Sequence, residues 1–541
     1  MSEGKNPTIS THQNYYTENS KGDAIAYNGL KAGLKNRHLN LIALCGLIGP
    51  GVLIGFASAL TAGGPVGLLV GFIVVGILVL AMTNSIGEEN SFMDQNFALM
   101  GSRFVSKGFG ATVGIYYCII WITNIIAEYT SLTSAMESYT DTVPTYGWFL
   151  IFWAIFTAFQ CLNIRWWGEA EYFLGFFKLA FLSGYYIFAI IYAGGGIKGH
   201  SPGNPFLNHP LNDGFKGIAN SFVYAGVFYS GIEGISVIAA EARNPRKALP
   251  TAAKNTVFRV FYVYFGLTIF YGISVPFTDP MLHDPSKVMR SPMTIGLTNA
   301  GWANSKYYVT TMVWITCFSS INTGIYFASR SLYTLAKEGY APKIFTKTTN
   351  RGIPYIAIHT CHLFGFLSIL SYSTGSSVAY SYIVSVTGVA CFIVWTAILW
   401  IHLRFRKGLE VQGISTDILP FKAIFFPWAN YIGITIGIVL ILVQSWSCFK
   451  PFDYKTFIDG YIMLPLFPLI WFCYDKFLFK KTGLIRYEDM DLTSGRRPDL
   501  DDNVGIALDN VEGEIEIMGT KSDSSRRFEE KNTSITETKQ Y

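Results

Sequence analysis

Three ionisable side chains stand well inside long apolar runs of the sequence: Glu128, Lys178 and Glu233. Holding a charge in hydrocarbon costs at least about 2.5–3.5 kcal/mol, so each must be paired, neutral or turned toward a water-filled cavity. A buried lysine is suited to carrying a proton, because burial disfavours its charged form and solvation restores it as a cavity opens and closes. Lys178 also has a plainer reading, a long stem snorkelling to the helix end about six residues away. Glu128 and Glu233 could equally cap broken backbone or pair with Lys178.

Two glycine-rich interruptions accompany these charges. CGLIGPGVLIG carries Gly46, Gly49, Gly51 and Gly55 around Pro50, and FYSGIEG places Gly231 and Gly234 on either side of Glu233. Proline removes a backbone donor and glycine permits non-helical angles, so a helix should break at each place. The first break falls about 15 Å into its span, at the midplane of a bilayer. Freed N–H groups there can hold an anion and freed carbonyls a cation, so a zwitterion suits both. Close helix packing through small residues is the competing explanation for either segment alone. A dinucleotide-binding glycine turn is excluded, because the region about 20 positions on is apolar and not acidic. His359, Cys361 and His362 offer at most three ligands at the start of a span, too weak a set for a metal site.

The elements that must position these residues are membrane spans. Of 541 residues, 50% are hydrophobic and only 14% charged, against about 25% charged in a soluble chain. A secreted protein, a nucleic-acid binder and a cytosolic enzyme are thereby excluded, and no cleavable signal peptide is read in the polar first 38 residues. Runs of about 20 apolar residues mark about twelve spans, six in each half: Leu39–Leu60, Pro65–Ile86, Gly110–Met136, Tyr146–Ile164, Tyr172–Ala193 and Ile218–Ala240, then Val257–Pro276, Tyr307–Leu335, Ile356–Tyr372, Ala379–His402, Trp428–Cys448 and Tyr461–Phe479. The two breaks are five spans apart, the spacing of an inverted repeat covering spans one to five and six to ten. Lys and Arg concentrate in the loops on one side, which by the positive-inside bias puts both termini in the cytosol.

Three regions result: a cytosolic N-terminal tail over 1–38, a twelve-helix domain over 39–481, and a C-terminal tail over 482–541. That last tail holds 14 Asp and Glu against 8 Lys and Arg. Its composition predicts disorder, as a solubilising segment or as a docking or degradation signal. The only N-x-S/T sequon, at Asn532, falls in it and should be unmodified. The eight cysteines are scattered with no CxxC pair and read as free thiols.

Four stretches, in order, carry a family resemblance: LKNRHLNLIALCGLIGPGVLIG at the first break, EARNPRKALP (Glu241 to Pro250), SRSLYTLAKEGYAPKIF (Ser329 to Phe345) and HLRFRKGLEVQG (His402 to Gly413). From Gly33 to about Arg497 the chain resembles the fungal amino-acid permeases of the amino acid, polyamine and organocation superfamily. Pro50 and QSWSCFKPFD (Gln444 to Asp453) look most like its low-affinity general branch. The resemblance implies an all-α polytopic fold with a LeuT-like five-plus-five inverted repeat and broken helices 1 and 6. It implies proton-driven amino-acid uptake through the lipid bilayer at the plasma membrane, with no cofactor, metal or nucleic acid, and with tails that cytosolic trafficking or ubiquitination machinery would read. The substrate carboxylate would meet backbone near Ile48, Gly49, Pro50 and Gly51, and the amine would meet Phe228, Tyr229, Gly231 and Glu233. Lys178 aligns with a fifth-helix lysine implicated in proton coupling, and Glu128, at a family acidic position, would share in that coupling.

Two departures stand out. Pro50 replaces the usual threonine, and after Ser85–Glu88 the sequence ENSFMDQNFALMG replaces a proline- and glycine-rich inner-gate stretch. The alternative function is an amino-acid sensor on the same scaffold, for which 38 N-terminal residues leave little room. No nucleophile and base constellation supports an enzyme.

Overall fold

The computed structural model describes residues 48–140, 142–160, 164–239, 254–284, 286–350, 352–370, 376–449, 451–480, 483–494 and 496. The first half of the first span, EARNPRKALP, both distal tails and Asn532 lie outside the described residues. Within them the chain is helical, with two isolated β-bridges and no named strand. The helices of eight or more residues begin with α1 (Gly51–Phe92), α2 (Phe97–Phe104), α3 (Lys107–Glu137), α4 (Thr145–Gln160), α5 (Ile164–Ala193), α6 (Gly214–Tyr229) and α7 (Lys254–Ser274). They continue with α8 (Pro292–Asn299), α9 (Ser305–Lys337), α10 (Tyr355–Leu363), α11 (Ser376–Val411), α12 (Trp428–Val443), α13 (Tyr454–Tyr461) and α14 (Met463–Cys473). Six described helices are long and apolar enough to cross a membrane, or seven if the bent pair Tyr454–Tyr461 and Met463–Leu478 is one span. The protein is a polytopic membrane protein.

α1 joins two of the spans read from the sequence. It is kinked at Gly64, whose φ of 68° and ψ of 176° only glycine adopts freely, with Pro65 opening the second segment. A Cβ at Gly64 would also meet the backbone of Pro210 and Asn212 at 3.0–3.1 Å. Small residues bring α1 and α6 together: Ser221 donates to the Gly67 carbonyl at 3.1 Å, and a Cβ on Gly71 would lie 2.3 Å from its hydroxyl. α3 runs along α9, and α11 crosses α3, α6 and α12.

One face of the bundle is tied by Glu88, fully buried, which accepts from Arg406 Nη2 at 2.8 Å and Ala423 N–H at 2.6 Å and pairs with His402 at 3.0 Å. Removing one member of so buried a cluster typically costs about 3–5 kcal/mol. The first residues assigned above to a disordered tail pack on this same face. Met490 and Leu492 are buried, Gln412 donates to the Met490 carbonyl at 2.8 Å, and Gln95 donates to the Ser494 carbonyl at 2.8 Å. Arg404 reaches the Ile485 carbonyl, and Arg103 reaches both Asp491 and the Ser494 carbonyl. Burial of two apolar side chains orders this strap despite its polar composition.

Candidate functional site

At the first break Ile48 and Gly49 precede the helix, and the chain enters α1 through a turn at Pro50. The N–H groups of Leu53 and Ile54 both donate to the Pro50 carbonyl at 2.9 Å, in a π-helical turn over Gly51–Gly55. Pro50 has φ −64°, the value its ring imposes, and its missing N–H falls where a helix start has donors to spare. The Val52 N–H returns to the Gly49 carbonyl at 3.3 Å, and Gly49, Pro50, Gly51 and Val52 line one wall of a cavity.

One stripe of α3 forms the facing wall: Trp121, Asn124, Ala127, Glu128 and Ser131. Val227, Phe228 and Ser230 come from the second break, Ser320 from α9, and Ile383 and Thr387 from α11. About 40 Å³ is open to the centres of water molecules, room for roughly three, so a larger solute needs the walls to part. Glu128 is 6% exposed. Its Oε1 accepts from the Ser320 hydroxyl at 2.9 Å, while its Oε2 has no hydrogen-bond partner. An uncompensated carboxylate oxygen of this kind suits an ammonium group. Gly49 approaches it closely: a Cβ there would lie 2.6 Å from Glu128 Oε1 and 3.0 Å from Ser320 Oγ, so a larger residue would displace this contact.

The second break is built differently. α6 ends at Tyr229, Gly231 turns with φ 90°, and a short helical turn runs over Ile232–Gly234. The Gly231 N–H donates to both Glu233 oxygens at 3.0 and 3.1 Å, and the Trp395 indole donates to Oε2 at 3.0 Å. Glu233 therefore caps its own break and lies outside the cavity wall. Tyr229 also faces away, its hydroxyl donating to the Phe72 carbonyl at 3.2 Å. Phe228 is the residue of this segment whose ring reaches the wall, stacked on Phe56 at 4.9 Å. Ile48 is buried just outside the wall.

Lys178 is 3% exposed, so its ammonium does not snorkel. It donates to Ser319 Oγ at 2.8 Å, and Ser319 in turn donates to Glu171. Ser319 and Ser320 are consecutive on α9, so one serine serves the Lys178–Glu171 pair and the next serves Glu128. Lys178 also acts electrostatically on Glu128. His362, by contrast, is held by two hydroxyls, Tyr129 at Nε2 (2.6 Å) and Thr157 at Nδ1 (3.2 Å). No group of three metal-binding side chains occurs among the described residues.

Residues 38–482 match the amino acid permease family. A Schizosaccharomyces pombe protein named as an uncharacterized amino-acid permease is 55% identical over 470 residues, covering 87% of each chain. The general amino acid permease AGP3 of Saccharomyces cerevisiae is 41% identical, covering 87% of this chain and 86% of its own. The basic amino-acid permease of the same yeast is 33% identical, covering 86% and 84%. This chain is an amino-acid permease.

The permease is thus a transporter and not an enzyme. Its cavity uses residues that the spacing of charges alone misses. Glu171 lies one residue before the span drawn from Tyr172, yet it is seven positions from Lys178 and on the same helix face. Asn124 and Ser131 flank Glu128 at helical spacing, a polar stripe visible in the apolar run. Ser319 and Ser320 carry no such signal. The altered inner segment of the permease folds as a regular element: Asn96 caps α2 by accepting from Leu99 N–H at 3.0 Å, and Phe97 N–H donates to Ser236 at 3.2 Å.

Proposed function

We propose that the permease imports amino acids across the plasma membrane, coupled to protons, by exposing one central cavity alternately to the two sides. The observation that carries this reading is the pairing of the unpartnered Glu128 oxygen with the Pro50–Gly51 helix start on one small cavity. The carboxylate would lie against the Gly51 N–H at the helix start, and the ammonium on Glu128. The Lys178–Ser319–Glu171 chain, one residue along α9 from the Glu128–Ser320 contact, would hold or release a proton according to the state of the cavity. Packing of α3 along α9, the third and eighth spans read from the sequence and therefore five apart, supports a twelve-span inverted repeat. The positive-inside bias supports cytosolic termini, with the tails as sites for trafficking machinery.

The test is uptake in cells lacking their own amino-acid permeases, at equal surface expression. Lys178→Ala should abolish pH-dependent uphill accumulation, whereas undiminished accumulation would refute the coupling. Amides and decarboxylated analogues should compete poorly. An amine competing as well as its parent amino acid would refute the assigned site.

A further inference from the structure

The segment between α7 and α9 folds back as a lid. It consists of a turn at Pro280–His283, a second turn over Ser286–Arg290 and then α8, and the Asn299 amide donates to Asp279 at 2.9 Å to close it on itself. It is fixed to the broken element directly, since Ser291 Oγ donates to the Leu53 carbonyl at 2.5 Å. Val288, Ser291 and Met293 are fully buried in the seam.

This lid turns two cations inward. Lys287 belongs to a loop yet is 1% exposed. The groups acting on it are Arg290 of the lid, Glu128 and Glu137 of α3, and Cys317 of α9. Glu128 and Glu137 are about 13 Å apart along α3, and Lys287, buried under the lid, interacts electrostatically with both. Arg290 acts on Tyr224, whose ring meets that of Phe228 in the opposite wall at 6.4 Å. Asp459 does not enter this balance: it bonds Ser385, on the face of α11 turned from Ile383 and Thr387.

Glu128 by itself would draw a cationic side chain into the cavity. Lys287 offsets it from the lid, Lys178 is matched by Glu171, Glu233 is committed to Gly231 and Trp395, and Arg290 adds a further positive charge. A zwitterion brings one charge for Glu128 and one for the Gly51 end. The extra ammonium or guanidinium of a basic amino acid would meet no second carboxylate among the residues that line the cavity.

We propose that Lys287 and Arg290 make the lid a charge filter that admits amino acids with neutral or acidic side chains and rejects those with cationic ones. This rests on the transport reading above and names its substrate class. Burial, with Arg290 beside it, lowers the Lys287 ammonium to about 7, so the filter is strongest in acidic medium.

The test measures uptake of radiolabelled leucine and lysine at about pH 5, in the same cells, for wild type, Lys287→Met, Lys287→Arg and Arg290→Gln. Wild type should take up leucine and discriminate against lysine. Lys287→Met should raise the lysine-to-leucine ratio about tenfold, the effect of one partly screened unit charge. Lys287→Arg should keep the wild-type ratio, and Arg290→Gln should shift it in the same direction as Lys287→Met. If Lys287→Met does not reach the membrane, Arg290→Gln decides. Absence of leucine uptake in wild type overturns the transport reading. Leucine uptake with equal lysine uptake in wild type, or with a ratio unmoved by the charge removals, overturns the filter alone.

Discussion

The two helix breaks look alike in sequence and are used in opposite ways. At Gly49–Gly51 the backbone itself lines the cavity, and the nearest carboxylate, Glu128, comes from another helix and keeps one oxygen uncommitted. At Ser230–Gly234 the break brings its own carboxylate, and Glu233 satisfies the Gly231 N–H and takes up the Trp395 indole. An acidic residue two positions from a break therefore seals it, whereas one across the cavity completes it. Similarity of sequence lesion does not imply similarity of role.

The sharpest way to break this comparison is to close the open side. Gly49→Val should abolish uptake at normal surface levels, because its Cβ would occupy space 2.6 Å from Glu128 Oε1. Retained uptake would show that Gly49 need not approach Glu128.

The carboxylates should separate next. Glu128→Gln removes a charge-assisted contact with substrate, worth roughly 1.5–3 kcal/mol, so KM should rise about 10- to 100-fold. Glu233→Gln should lower the maximal rate and leave KM near wild type, because it loosens a hinge and touches no substrate. The same KM change in both would erase the distinction between the breaks.

Which carboxylate faced the cavity could not be read from the chain. Both are acidic residues inside apolar runs, and the choice depends on α9 placing Ser320 and α11 placing Trp395, contacts 192 and 162 positions away. What could be read was local: the glycine and proline punctuation at 49–51 and 231–234, the apolar runs, and the cost of burying Lys178. The strap at 483–494 escaped because two apolar side chains in a polar tail carry no periodic signal, and Glu171 escaped through a span boundary one residue off.

Pro50→Thr gives a smaller test of the open break. It adds an N–H and a hydroxyl beside the cavity, and KM should fall by up to about tenfold, one hydrogen bond to a charged group. The gain is limited because proline already sets the φ of the turn. An unchanged KM for three chemically different amino acids would place the carboxylate elsewhere.

The smallest effect concerns the lid above the open break. Lys287 is lowered from the ordinary 10.5 to about 7. Below that value its ammonium stays charged beneath the closed lid, and between about 7 and 10.5 closure releases a proton, so alkaline medium eases closure and weakens the filter. The lysine-to-leucine uptake ratio should rise a few-fold from about pH 5.5 to about pH 8 in wild type and stay flat in Lys287→Met. A wild-type ratio that does not change with pH would remove Lys287 as the titrating group.

The strap fastened by Arg103, Arg404, Gln95 and Gln412 has a practical consequence for watching the permease work. It is held by α2 and α11 and lies beside Phe92 at the end of α1, so it is tied to those elements. A spectroscopic label at the exposed Glu488 would report the displacement of that face during a transport cycle without any probe being inserted among the cavity-lining helices.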